Sequence, residues 1–234
     1  MKMNVYERHA YLYSAWTALL VPCVLSMFVV WNIIPVLLDV VQPLIKIIGV
    51  FVSSAVVYGA VGFFVRELFR NTSKLLFQFP LFKEDETKMP TTEFLMWKNG
   101  YISHSQKEQV NAKMLAQYNY VMFDEHQEEV DELEARRNIV GAVGIMREAT
   151  RGDKILLQCN YRYGYQRNML GGLVWSFFFI LFFLIVNYVW NYPFKSSGLM
   201  ALVAIILQGA FAFIFMKYNS RNYARTLINV FISK

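Results

Sequence analysis

The chain has 234 residues, 56% of them hydrophobic and 17% charged, with a formal net charge of +6. That charged share lies below the roughly one quarter usual in soluble domains, which excludes a wholly water-exposed fold and points to one small domain joined to a membrane region. The two cysteines, Cys23 in an apolar run and Cys159 in a polar one, have neither metal-ligand spacing nor the density of a disulfide framework.

Residues 1–10 form a short polar lead with Lys2, Glu7 and Arg8. A secretory signal is not expected, because the apolar run that follows is too long and lacks a small-residue cleavage site. That run, Tyr11 to about Leu38, predicts a first span, kinked at Pro22 and ending near Pro35. Asp39, Gln42 and Pro43 mark a tight turn, and a second span is predicted from about Leu44 to Val65. Gly49, Ser53, Gly59 and Gly62 give this span a small-residue face that lets backbones approach closely. Packing within one subunit and association between subunits both fit it.

Basic and apolar residues mix from Arg66 to Phe77, as in an interfacial segment. Residues 78–167 are the sizeable polar part, with a loop around Lys83–Pro90. Ser105-Gln106-Lys107-Glu108 predicts a capping box opening a helix with Val110, Met114, Leu115 and Tyr118 on one side. Asp124 is expected to cap one longer helix reaching about Arg151, acidic at its start and basic at its end in line with the helix dipole. Gly141 and Gly144 are expected on a close-packed face. Residues 152–168 fit a strand or a helix equally.

From Leu173 to Trp190 almost every residue is apolar or aromatic, which predicts a third span. Asn191–Gly198 reads as the turn and Leu199–Met216 as the fourth span. The expected fold is an all-α integral membrane protein. Its transmembrane hairpins, 11–65 and 169–216, flank a mostly helical cytoplasmic domain, 66–168, with tails at 1–10 and 217–234. The two hairpin turns are poor in cations, whereas Lys2, Arg8, Arg66, Arg70, Lys74, Arg162, Arg167, Lys217, Arg221 and Arg225 lie on the other side. The positive-inside rule then makes both termini cytoplasmic. Arg66 to Arg167 holds equal numbers of acidic and basic residues, so the net positive charge comes from the ends.

No catalytic constellation, phosphate-binding glycine loop or metal site is visible around His9, His104 or His126, so neither an enzyme nor a cofactor is expected. No ionisable residue lies mid-span, which argues against ion-coupled transport. The neutral polar residues Asn32, Asn187 and Gln208 are candidate pore-lining groups, with interhelical hydrogen bonding as the alternative. Four spans cannot readily enclose a water path, so a pore requires several copies. Arg136, Arg137, Arg147, Arg151, Arg162, Tyr163 and Arg167 are candidate contacts for a phosphate-bearing ligand. The stretch Asn160–Asn168 fits an aromatic belt with basic anchors as well.

Pro90-Thr91-Thr92 before an acid-rich helix, and Tyr163-Gly164-Tyr165-Gln166-Arg167-Asn168 leading into a span, resemble small four-span proteins of bacterial anti-phage defence operons. The channel subunit of the Hailong system is similar in architecture, and the resemblance covers about residues 90–215. It implies an ion channel in the bacterial inner membrane. A nucleotide or single-stranded DNA ligand, made by a partner nucleotidyltransferase, would gate it. It further implies a homo-oligomer in the lipid bilayer, a tetramer by analogy, acting in antiviral defence by depolarisation. A membrane-anchored scaffold that recruits a cytoplasmic partner protein is the alternative.

Overall fold

The computed structural model describes residues 5–29 and 55–234, and within these every regular element is helical. Asn32, Pro35, Asp39, Gln42, Pro43, Lys46, Gly49 and Ser53, with the first half of the expected second span, lie outside the described residues.

A turn at Val5–Glu7 leads into α1, Arg8–Val29, whose first turn, Arg8–Leu12, is π-helical. The remaining elements are α2 (Ala55–Ser73), a π-helical turn at Lys74–Gln78, α3 (Phe79–Phe82), α4 (Pro90–Leu95) and α5 (His104–Tyr118). They continue with α6 (Glu125–Val130), α7 (Glu132–Ala149), α8 (Lys154–Val189) and α9 (Lys195–Ser233). Among the described residues, α1, α8 and α9 are long and apolar enough to cross a membrane. α8 and α9 have 36 and 39 residues, about 54 and 58 Å at 1.5 Å per residue, against a hydrocarbon core of about 30 Å. Each helix therefore extends well beyond its apolar stretch, and residues 154–168 are helix. The turn between α8 and α9 is shorter than expected, at residues 190–194.

The chain divides into two compact units. The first comprises Met1–Lys74 and Tyr165–Phe213, the second Leu75–Gly164 and Ile214–Lys234. This division differs from the expected one at the C-terminus. Residues 217–234 belong to the second unit, and all but Lys234 are part of α9.

The core of the second unit follows from two matching patterns. Ile139, Ala142, Val143 and Met146 of α7 recur at helical spacing, as do Ala224, Leu227, Ile228 and Phe231 of α9, and both sets are buried in one cluster. Val110 and Met114 of α5, Phe94 and Leu95 of α4, Met96 and Ile102 of the loop that follows, and Leu156 of α8 complete it. Of the four residues expected on one side of α5, Val110 and Met114 are buried and Leu115 and Tyr118 exposed.

The caps differ in detail from those read in sequence. Ser103, not Ser105, caps α5, forming a reciprocal capping box with Gln106. Asp124 does cap a helix, through a box with Gln127, but that helix ends at Val130. Asp131 then adopts a non-helical backbone and accepts a hydrogen bond from the Glu134 amide, opening α7. The one long helix expected here is thus two, because an aspartate inside an acidic run offers its side chain to the backbone as a new N-cap. Gly141 does sit on a close-packed face, since an added Cβ would meet the Tyr120 hydroxyl. Gly144 does not, because no atom lies within 4 Å of that position.

Candidate functional site

In the first unit, α8 presents two adjoining faces. Tyr165, Asn168, Gly172 and Ser176 recur at helical spacing and meet α1. The Tyr165 hydroxyl donates to Thr17 Oγ1 at 2.8 Å, Asn168 Nδ2 to the Ala10 carbonyl at 2.7 Å, and Ser176 Oγ to the Ala18 carbonyl at 2.7 Å. Gly171 and Trp175 meet α2, where the indole donates to Thr72 Oγ1 at 3.0 Å. A Cβ on Gly171 would run into the Phe69 carbonyl, and one on Gly172 into Ala18 and the Phe69 ring. Glycine is required at both positions by this close backbone approach. α9 adds Gln208, whose Nε2 donates to the Thr17 carbonyl at 3.1 Å and contacts Met169 Sδ at 3.8 Å. Thr17 therefore receives hydrogen bonds from both long helices. The Ala10 carbonyl, inside the π-helical turn, also accepts from Ser14 Oγ at 2.8 Å. Such turns open the regular ladder to side-chain donors.

This seam is legible in the sequence only in fragments. Gln208, a candidate pore-facing group, spends its amide on an interhelical bond, as the alternative reading has it. Asn187 is also turned inward: it is buried, and its Nδ2 donates to the Phe183 carbonyl one turn back at 2.8 Å. Asn187 is thus buried within the chain, whereas Gln208 is half-buried. Gly62 has no described atom within 4 Å of its Cβ position, so the close packing expected there is not met within the described residues. Gly59 lies in α2. The Gly171-Gly172 pair, by contrast, carries a signal in its paired small residues that sequence reasoning misses.

The candidate ligand-binding residues separate into distinct groups. Arg136 is held by Glu93 at 2.6 Å and Glu132 at 2.9 Å, donates to the Thr87 carbonyl at 2.7 Å, and exposes 12% of its side chain. Burial works to lower its pKa, but the two carboxylates more than offset this, so the charge is held more firmly than usual. Arg147 pairs with Glu86 at 2.8 Å. Both cations fasten α7 to the loop preceding α4 and to α4 itself. Arg137 and Arg151 make exposed pairs with Glu134 and Glu148 one turn away, the kind worth about 0–1 kcal/mol and readily exchanged. Arg162 is exposed. Tyr163 and Arg167 are buried, which corrects their assignment as surface contacts. The reason is periodicity. In a helix, residues four apart share a face, so Tyr163 and Arg167 turn inward together while Arg162 turns out.

Two further groups organise the second unit. Lys107 is 3% exposed, and its Nζ donates to the carbonyls of Met96, Trp97 and Asn99 at 2.6, 3.0 and 2.5 Å. Burial pushes its pKa down, and Glu128 and Glu125 oppose this in part. The Glu128 carboxylate accepts from the Trp97 and Lys98 amides at 2.7 and 2.9 Å. One buried cation and one buried anion thus fix the same short loop from opposite directions.

No family model, curated protein or solved structure matches this chain.

Proposed function

We propose that this chain is the subunit of an oligomeric membrane channel, with four spans and both termini cytoplasmic, gated through its helical domain. The observation that carries this reading is the continuity of α8 and α9. Each is a single unbroken helix contributing residues to both units, so a change in the packing of Leu156 or of Ala224–Phe231 bears on the same helix that supplies Ser176 or Gln208. Helix shifts of this kind are an established means of gating. Exposed Phe178, Phe182, Met200, Val203 and Phe211 offer an apolar surface to lipid or to further copies. Apart from the buried Arg167, which donates to Asn168 Oδ1 at 3.3 Å, the groups that bond across the seam are neutral, which suits passive conduction rather than a proton relay. On this reading, a nucleotide or single-stranded nucleic acid made by a partner enzyme contacts Arg137, Arg151 and Arg162, and depolarisation serves anti-phage defence.

The test is electrical. Full-length protein reconstituted in planar bilayers should give discrete currents that respond to a single-stranded oligonucleotide, with the response weakened in Arg162→Ala. Silence over a range of protein-to-lipid ratios would reject conduction. The membrane-anchored scaffold would then stand, supported by the Arg136 and Arg147 ion pairs, which give the domain a fixed surface for a partner protein.

A further inference from the structure

A cleft of about 180 Å³ opens in the second unit among Lys88, Glu93, Tyr101, Lys217, Ser220 and Arg221. Its charge is one-sided. Glu93, the acidic residue in its lining, is already neutralised by Arg136 at 2.6 Å and accepts from Asn99 Nδ2 at 2.8 Å. Lys88, Lys217 and Arg221 are all cationic and exposed. On α9 the cations recur at 217, 221 and 225, four residues apart and hence on one face, and the last of them lies over the Phe94 ring at 6.0 Å. Phe94 is also stacked on Tyr101, with centroids 4.9 Å apart. The cleft therefore has a fixed aromatic wall and a cationic rim.

Its size and place select the ligand. Pockets for drug-sized molecules run from about 300 to 1,000 Å³, so this one admits a single phosphate group with a small substituent rather than a whole nucleotide. Lys217 is the first residue after the apolar run Leu199–Met216 of α9, and Arg221 follows one turn later. Cations at that position on a spanning helix meet the anionic headgroups of the cytoplasmic leaflet.

We propose that this cleft is a binding site for a phosphate monoester headgroup, supplied by an anionic phospholipid of the surrounding leaflet. The site is distinct from Arg137, Arg151 and Arg162 and stands whether or not the protein conducts. Lys217 and Arg221 hold the phosphate from α9, Lys88 closes on it from the loop before α4, and Tyr101 with Phe94 packs against the substituent. The lipid thereby ties the last helix of the chain to the loop before α4 within the second unit.

The experiment uses the full chain in detergent, with native mass spectrometry and thermal melting as readouts. The probes are short-chain phosphatidic acid, short-chain phosphatidylcholine and inorganic phosphate. Phosphatidic acid should bind at least tenfold more tightly than phosphatidylcholine and raise the melting temperature. Lys217→Gln with Arg221→Gln should remove that preference. Lys217→Arg should keep it, and so should Lys154→Gln, an exposed cation outside the cleft. These side chains are exposed, so folding of each variant is checked by its ligand-free melting temperature. Inorganic phosphate binding as tightly as phosphatidic acid would uphold the phosphate site and overturn its assignment to lipid. Equal binding of both lipids, or a preference that survives the double substitution in folded protein, overturns the proposal.

Discussion

Lys107 is the residue on which the loop between α4 and α5 turns. A long apolar side chain could fill its space but would leave the carbonyls of Met96, Trp97 and Asn99 without their donor. Each buried polar group so abandoned costs about 1–3 kcal/mol. Lys107→Met is therefore expected to lower the melting temperature of the purified protein markedly, and an unchanged melt would show that water replaces the ammonium. Glu132 gives a pH signature instead. Hydrogen bonds from Lys98 and Arg136 hold its carboxyl below the ordinary value of 4.5. Its contribution is therefore present in full above that pH and is lost as the pH falls through the depressed value. Melting temperature should decline more steeply below pH 4.5 in the native protein than in Glu132→Gln; parallel profiles would remove the role assigned to this carboxylate.

Among the elements, α8 is set by its glycines. Adding side chains at Gly171 and Gly172 forces α8 away from α2 and α1, because what they meet includes the Phe69 carbonyl, which has no freedom to move aside. Gly171→Val is expected to abolish stable purification in mild detergent. Gln208→Leu, which removes one interhelical hydrogen bond, should cost only about 0.6 kcal/mol, the average for such bonds in membranes. Comparing the two by size-exclusion profile and melting temperature checks whether close approach or hydrogen bonding holds these helices together. A larger loss from Gln208→Leu than from Gly171→Val would make hydrogen bonding the dominant force instead.

For the whole molecule, the decisive feature is that the second unit is built from distant stretches. Ala224, Leu227, Ile228 and Phe231 are fully buried in one core with residues of α5 and α7. A chain ending at residue 220 is therefore expected to lose the second unit's fold, not merely a tail. Limited proteolysis would reveal this as new cleavage between α5 and α7, whereas a protected domain would show that α9 is dispensable. Assembly is tested separately. Gly62 has no described residue within 4 Å of its Cβ position. Gly62→Leu should shift the oligomer distribution in native mass spectrometry if copies meet there.

The helical class and the three long apolar helices were legible in the sequence, because composition and an uncharged run of sufficient length decide these without reference to neighbours. It also placed the caps to within a residue or two, since Ser, Asp and Gln act on the backbone beside them. Asp131 was legible as an acidic residue but not as a cap, because an unbroken helix and a two-helix reading fit the same charge pattern. Packing between elements is what puts Ala224, Leu227, Ile228 and Phe231 in a core, turns Tyr163 and Arg167 inward, and pairs Arg136 and Arg147 with Glu93 and Glu86. For the last helix and for the two ion pairs, the partner is a residue remote in sequence. A pattern along one helix records which face is apolar or charged, but not what that face will meet.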